Sequence, residues 1–301
     1  MVTASDVKRL RQATGAGMMD CKKALGENNG DFEQARDWLR TKGLSAAARK
    51  SDRVTSEGLI GICNKGNKAA IIELNSETDF VAKNEQFQSL VKDIAEITLT
   101  YVESLETAKN SSGQTISEMI KDTIAIIGEN ISLRRAKQLT LSNGCISSYV
   151  HNLAATDMGK IGVLVALESD SSNKEIQELG KQIAMHIAAA KPLALKVEDL
   201  EPAIVEKEKN IFREQSLASG KPENIIDKMI EGRMRKFYEE YVLLDQVFVV
   251  DGKTKIRDLL TKASRDCGKP VTIKDFVRFE VGDGLEAKKT DFASEVESLS
   301  K

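Results

Sequence analysis

Two stretches of this chain repeat one another, and that repetition constrains the fold more than any other feature. "NKAAIIELNSETDFVAKNEQFQSLVKDIAEITLTYVE" lines up with "GKIGVLVALESDSSNKEIQELGKQIAMHIAAAKPLAL". In each, an apolar strand runs into a polar loop and then a helix of matching apolar spacing. The segments just before them also correspond, "GLIGICNK" with "GCISSYVH". Each copy reads as a hairpin of period-two, β-branched strands with a helix laid on it, the first turning at "NKGN". Two copies make a pair of subdomains, because a solenoid needs three or more.

The copies differ in the loop between strand and helix. The first has "SETDFVAKNEQF" where the second has "ESDSSNKEI". Loops lie on the surface, where a large apolar side chain stays wet unless something covers it. Phe80 therefore has two readings. It is a staple packed back on Phe87 or Val81, or it is an exposed anchor with the charge of Asp79 at its rim, as binding hot spots are built. Asp79 also reads as an N-cap. If Phe80 served only the fold, the sister loop would be expected to keep an apolar residue.

Around the repeat the chain falls into further parts. Residues 1–42 predict three short helices. Val7, Leu10 and Arg11 sit on the first, which ends at "TGAG"; Met18, Met19, Cys21, Ala24 and Leu25 sit on the second. Asp31 caps a third carrying Phe32, Ala35, Trp38 and Leu39. Met18 and Met19 are adjacent, so one is expected to point inward and the other to lie on the surface. "AAARKSDRVTSEG" reads as a basic linker or exposed helix end. Asn84 caps a helix through Tyr101, a helix is predicted over 115–127, and "ISLRRAKQL" reads as a strand. Two charged helices over 200–244 carry a narrow stripe, Leu200, Ile204, Ile211, Ile226, Ile230, Phe237, Tyr241 and Leu244. Such a stripe suits a projecting helical hairpin. Pro202 and Pro222 fit first-turn positions, and Gly220 fits the break between the helices. "TIKDFVRFEVGDG" is a late strand, and "TDFASEVESL" a final helix capped by Thr290.

The fold class expected is α+β. The domains expected are a three-helix domain with its linker (1–54), one core subdomain (55–140), a second (141–199 and 245–282), a helical hairpin (200–244) and a C-terminal module (283–301).

Composition narrows the function. The 44 Lys+Arg against 46 Asp+Glu leave a net charge of -2, which argues against nucleic acid as the main partner. Four cysteines without a CxxC pair and only two histidines point to reduced structural thiols and no metal or other cofactor. His186, on the apolar face of "QIAMHIAAA", reads as a core histidine. There is no phosphate-binding or nucleophile-elbow motif, so the chain reads as a non-enzyme. No apolar run approaches the roughly 20 residues that span a bilayer. The start has neither a signal-peptide core nor transit character, so no membrane association and a cytoplasmic location are expected.

Taken in order, "LRQATGAGMMDCKKAL", "ARKSDRVTSEGLIG", "SETDFVAKNEQF", "IIGENISLRR", "GKIGVLVALES", "GKPENIIDKMIEGR" and "FVRFEVGDG" resemble the elongation factor Ts family over essentially the whole chain. "TGAGMMDCKKAL" and "TDFV" are the specific motifs. The resemblance implies a translation elongation factor of protein biosynthesis, a guanine-nucleotide exchange partner of elongation factor Tu, in a one-to-one or two-to-two complex. It implies a UBA-like N-terminal bundle, two related core subdomains, a coiled-coil excursion and a C-terminal helix. It places Asp79 and Phe80, with Val81, as a wedge between helices of the GTPase domain, and Ile127 and Gly128 against the same region. Arg11, Met18 and Met19 match the N-terminal contact, and His151 matches a second contact on another part of the partner. The chain departs from the family in "NLAATDM" after His151, in Val247, where the family carries a proline, and in "SRDCGKP" before the last strand, which resembles a small insertion. The other readings are a scaffold that binds through the hairpin and the N-terminal bundle, with Phe80 structural, and an RNA-contacting factor using the basic linker.

Overall fold

The computed structural model describes residues 2–170, 174–218 and 223–285. The N-terminal bundle is built from α1 (Ala4–Thr14), α2 (Met18–Glu27) and α3 (Phe32–Lys50). The Thr3 hydroxyl accepts from the Asp6 N–H while the Asp6 carboxylate accepts from the Thr3 N–H, closing a capping box. Asp31 caps α3 as the sequence predicts. The core is small: Leu10, Cys21, Ala24, Leu25 and Ala35, flanked by Phe32, Trp38 and Leu39. Here one alternative is decided and one expectation changes. Helix α3 runs on to Lys50, so the first part of the basic stretch is a helix end, where Arg49 and Lys50 complement the dipole. Neither methionine points inward: Met18 and Met19 are 52% and 74% exposed. Met18 shares a face with Cys21 and Leu25, but it is the first residue of α2, where the bundle leaves it uncovered.

Among the described residues six antiparallel strands follow: β1 (Glu57–Asn64), β2 (Lys68–Ser76), β3 (Ile131–Thr140), β4 (Cys145–Ala155), β5 (Met158–Glu168) and β6 (Thr272–Glu280). The order is β3-β2-β1-β5-β4, with β6 also on β5. The strand ladders of the two halves meet where Ile60 and Gly61 of β1 pair with Gly159 and Met158 of β5. From that seam they face each other. Ile60, Ile71, Leu139, Leu164, Val277 and Phe279 share one inner core. The alternate residues face outward onto helices. Leu59, Ile72 and Leu74 meet α4 (Glu85–Tyr101) and α5 (Ile116–Ile127). Val163, Val165 and Leu167 meet α6 (Lys174–Ala190) and α9 (Ile256–Cys267). Both faces of β1 and β2 are therefore buried, and the half-exposed alternation expected of a hairpin is replaced by near-continuous burial.

The duplication is visible in detail. The unit β1-β2-α4 corresponds to β4-β5-α6, and each helix has 17 residues. Gly58 and Gly144 both have positive φ, +134° and +117°, where a Cβ would overlap the carbonyl of Leu74 or Leu167 on the paired strand. The tight strand–helix contact is exchanged between copies. Gly61 on the strand admits Val91 of α4, whereas Gly180 on α6 admits Ser147 of the strand.

The hairpin α7 (Pro202–Ala218) and α8 (Glu223–Tyr241) packs along Leu200, Ile226, Ile230, Met234 and Phe237. Pro202 opens α7 as predicted, while Pro222 and Gly220 lie outside the described residues. Phe212 takes the place expected of Ile211, and Leu244 packs instead in the second core. Of "SRDCGKP", "SRDC" closes α9, and Gly268 ends the helix in the left-handed region. The expected final helix capped by Thr290 lies outside the described residues.

Candidate functional site

Strand β2 delivers the chain to a single 3-10 turn, Asp79–Lys83. Three sets of contacts fix it. The Thr78 N–H and hydroxyl donate to the two carboxylate oxygens of Glu129, at 2.9 and 2.7 Å. Glu77 accepts from the Asn130 N–H at 2.6 Å, and the Asn130 amide donates to the Arg53 carbonyl at 2.8 Å. Val81 and Ala82 are buried in the core with Phe87 and Val91. On the far side, the Asn84 side chain accepts from the N–H groups of Gln86 and Phe87 and starts α4.

Between these anchors Phe80 is 79% exposed. It does not pack on Phe87, which is fully buried, nor on Val81, which points the other way into the core. The staple reading is excluded. Thr78, not Asp79, is the N-cap residue of the turn. Asp79 is exposed, and its carboxylate accepts no hydrogen bond from the described residues. Val81 supports the turn from within and offers no outer surface.

The hydrogen bonds of Glu129 and Asn130 bring the turn against the end of α5. There Ile127 is half-buried on the core, and Gly128 caps the helix at φ +87° with its carbonyl accepting from Lys50 Nζ. The bundle meets the same corner. A Cβ on Gly15, at the α1–α2 turn, would stand 2.9 Å from the Gln86 amide nitrogen and 3.2 Å from Ile126. Arg11, Met18 and Met19 flank that turn and are exposed. Asp79, Phe80, Ile127 and Gly128 thus sit at one corner, with the methionines and Arg11 beside the helix turn that touches it.

His151 stands apart on the β4–β5 hairpin, exposed, with Tyr149 Oη 3.1 Å from its Nδ1. The "NLAATDM" segment lengthens that hairpin. Its turn residue Asp157 has φ +59°, and the Asp157 carbonyl accepts from Ile62 N–H at 3.0 Å, tying the tip to β1. His186 is a satisfied core residue, as expected. Its Nε2 lies 2.9 Å from Gln246 Oε1 and its Nδ1 accepts from the Val249 N–H, while burial holds its pKa below the ordinary value.

Sequence reasoning missed Glu129, and it missed a buried acid. Glu73 lies fully buried on β2. Its oxygens accept from Arg134 at 3.1 Å, Asn75 at 3.0 Å, the Gly282 N–H at 2.8 Å and Arg135. Burial pushes its pKa up, but the donors from Gly282, Asn75 and Arg135 outweigh it and hold the carboxyl below its ordinary value. The signal was a lone acid inside the apolar run "AAIIELN", which needs cationic partners to be buried. Among the described residues no group of three or more His, Cys, Asp or Glu could hold a metal ion, and no helix is long and apolar enough to cross a membrane.

A family model described as elongation factor TS matches residues 77–283. A curated elongation factor Ts from Zymomonas mobilis is 52% identical over 298 residues, covering 98% of this chain and 97% of that protein. Elongation factor Ts from Sphingopyxis alaskensis is 52% identical with 98% and 97% covered, and that from Rhodospirillum centenum 51% identical with 99% of both covered.

Proposed function

Since the chain belongs to the elongation factor Ts family and is thereby a translation elongation factor, we propose that it promotes GDP release from elongation factor Tu. It does so by stabilising the nucleotide-free GTPase, to which GTP then rebinds. The observation that carries this reading is Phe80, held out to solvent by a turn whose neighbours are all tied down.

A GTPase grips its nucleotide through backbone amides around the phosphates, a lysine and a Mg²⁺ ion. An exchange factor need not touch the nucleotide. It must bind the emptied conformation better than the loaded one. Burying the Phe80 ring between two partner helices contributes about 1.5–3 kcal/mol, available only when those helices stand apart. Asp79, with no partner among the described residues, competes for polar groups that otherwise support the Mg²⁺ site. The Glu129 and Asn130 hydrogen bonds keep this wedge rigid, so little of its binding energy is spent on ordering it. Ile127 and Gly128 extend the contact at the same corner, Arg11, Met18 and Met19 extend it along the bundle, and His151 grips another part of the partner. The sister loop needs no phenylalanine because one wedge suffices. No bond is made or broken, so the chain is an exchange factor without chemical catalysis, working in the cytoplasm.

Coupling of this kind is reciprocal, and about 3 kcal/mol corresponds to about 150-fold in either affinity. The test is a titration of GDP against the complex with the cognate elongation factor Tu. Exchange activity requires that the chain speed release of labelled GDP, and reciprocity requires that GDP weaken the complex by the same factor by which the chain weakens GDP affinity. A complex of unchanged affinity at saturating GDP would leave only a scaffold.

A further inference from the structure

The N-terminal bundle and the Phe80 turn are linked by a strap, residues 51–56, between α3 and β1. The strap is neither helix nor strand, so its course depends on what holds it from outside. Asn130, just past α5 and only 6% exposed, does this with one half of itself. Its side-chain amide donates to the Arg53 carbonyl at 2.8 Å and to the Ser51 carbonyl at 3.3 Å. Its main-chain N–H donates instead to Glu77, at 2.6 Å, on the side of the wedge. The neighbouring ties are more open to water: the Arg53 guanidinium stands 3.4 Å from Glu77, and Lys50 Nζ donates to the Gly128 carbonyl.

The junction needs a tie of this kind. Gly43 of α3 comes so close to α5 that a Cβ there would stand 2.6 Å from the Ala125 Cβ. Beside that approach a cleft of about 790 Å³ opens between the bundle and α5. Asp20, Arg36, Asp37 and Arg40 line it from the bundle and Asp122 from α5, so apolar packing does not close this part of the junction. Relative movement is the default where a junction is not large and hydrophobic. Yet Arg11, Met18 and Met19 stand on the bundle and Phe80 on the core. Two contacts with one partner reinforce each other only when the spacing between them matches that partner.

We propose that the Asn130 side chain is a positioning residue: it fixes the strap, and with it the reach of Arg11, Met18 and Met19 relative to the wedge, while its main chain serves the wedge itself. The proposal rests on the exchange reading above. Freeing the strap leaves the wedge intact and makes placement of the bundle a cost of binding, carried in the ground state and the transition state alike. Asn130→Ala should therefore raise the concentration of the chain that gives half-maximal GDP release about tenfold, on the scale of two lost hydrogen bonds. The maximal rate at saturation should stay within about twofold of wild type. Glu129→Gln, which cuts the turn's own tie to Thr78, should do the reverse, lowering the maximal rate more than it shifts the half-saturating concentration.

Limited trypsin digestion of the full chain tests the strap without any partner. The Arg53 carbonyl that the protease must attack is the one that accepts from Asn130, so cleavage after Arg53 waits for that bond to open. Asn130→Ala, with its fold checked by circular dichroism, should be cut there about tenfold faster than wild type, with cleavage elsewhere unchanged. Lys50→Met, a change at the surface that spares the fold, removes the neighbouring tie and should speed the same cleavage by a smaller factor. Equal cleavage after Arg53 in wild type and both variants would overturn the proposal. So would an Asn130→Ala chain that is cut faster but loses maximal release rate as Glu129→Gln does, which would assign the side chain to the wedge. If wild type does not speed GDP release at all, the exchange reading fails, and digestion alone upholds or overturns the tie.

Discussion

Replacing Glu73 with glutamine keeps the shape of the side chain and removes its charge, at a position with no access to water. Every group around the carboxylate is a donor: Arg134, Arg135, the Asn75 amide and the Gly282 N–H. A glutamine turns one acceptor oxygen into an NH₂ that faces donors whichever way it is placed. Breaking a buried ion pair by removing one partner costs about 3–5 kcal/mol. The two arginines are 25% and 30% exposed and recover some hydration, which puts Glu73→Gln near the lower figure, about 3 kcal/mol. Urea unfolding at pH 7 reads this directly. The pH dependence gives a second check. The folded pKa of Glu73 lies below its ordinary value of 4.5, so the unfolded chain takes up the proton first as pH falls. Its contribution is complete above about pH 5 and is lost as pH drops through the folded pKa. Wild type and Glu73→Gln should therefore converge in acid. A loss under about 1 kcal/mol, or a difference that stays constant down to the acid transition, would refute the network's role in stability.

Phe80→Ala should leave the stability of the free chain within about 0.5 kcal/mol, whereas Val81→Ala, one residue on, should lose about 2 kcal/mol; equal effects in urea unfolding would mean that Phe80 is not free. Gly144→Ala should cost about 3 kcal/mol or more, since the new Cβ overlaps the Leu167 carbonyl in a left-handed backbone, and a melting temperature within a degree or two of wild type would contradict that. His186 is buried and its folded pKa depressed, so the unfolded chain binds a proton that the fold rejects. Stability should fall as pH drops below the ordinary value near 6.5, until His186 itself protonates in the fold. His186→Gln should remove that slope between about pH 6.5 and 5.5, and an unchanged slope would assign it to another group.

Local pattern carried a large part of this fold. The duplicated strand–loop–helix unit, the three N-terminal helices with the Asp31 cap and the projecting hairpin were legible because each rests on short-range spacing. What escaped depends on residues far apart in the chain. The seam between the sheet halves is two residue pairs with no sequence signature. The partners of Glu73 come from strand β3 and from the end of β6. Helix α9 was legible and overlooked: Ile256, Leu259, Leu260, Ala263 and Cys267 lie at helical spacing, with Gly268 and Pro270 as stops. At the candidate site, sequence left Phe80 between staple and anchor. Burial of Phe87 and Val81 decided it, because the core around them is filled without Phe80.

The wedge is tested most directly by the rate at which a fluorescent GDP analogue leaves the cognate elongation factor Tu at fixed Mg²⁺, with wild type, Phe80→Ala and Asp79→Ala compared and circular dichroism confirming that each is folded. Loss of about 1.5–3 kcal/mol of differential binding corresponds to a release rate some 10- to 150-fold slower for Phe80→Ala than for wild type. A folded Phe80→Ala chain that releases GDP as fast as wild type would contradict the wedge and move the search for the exchange contact to the N-terminal bundle.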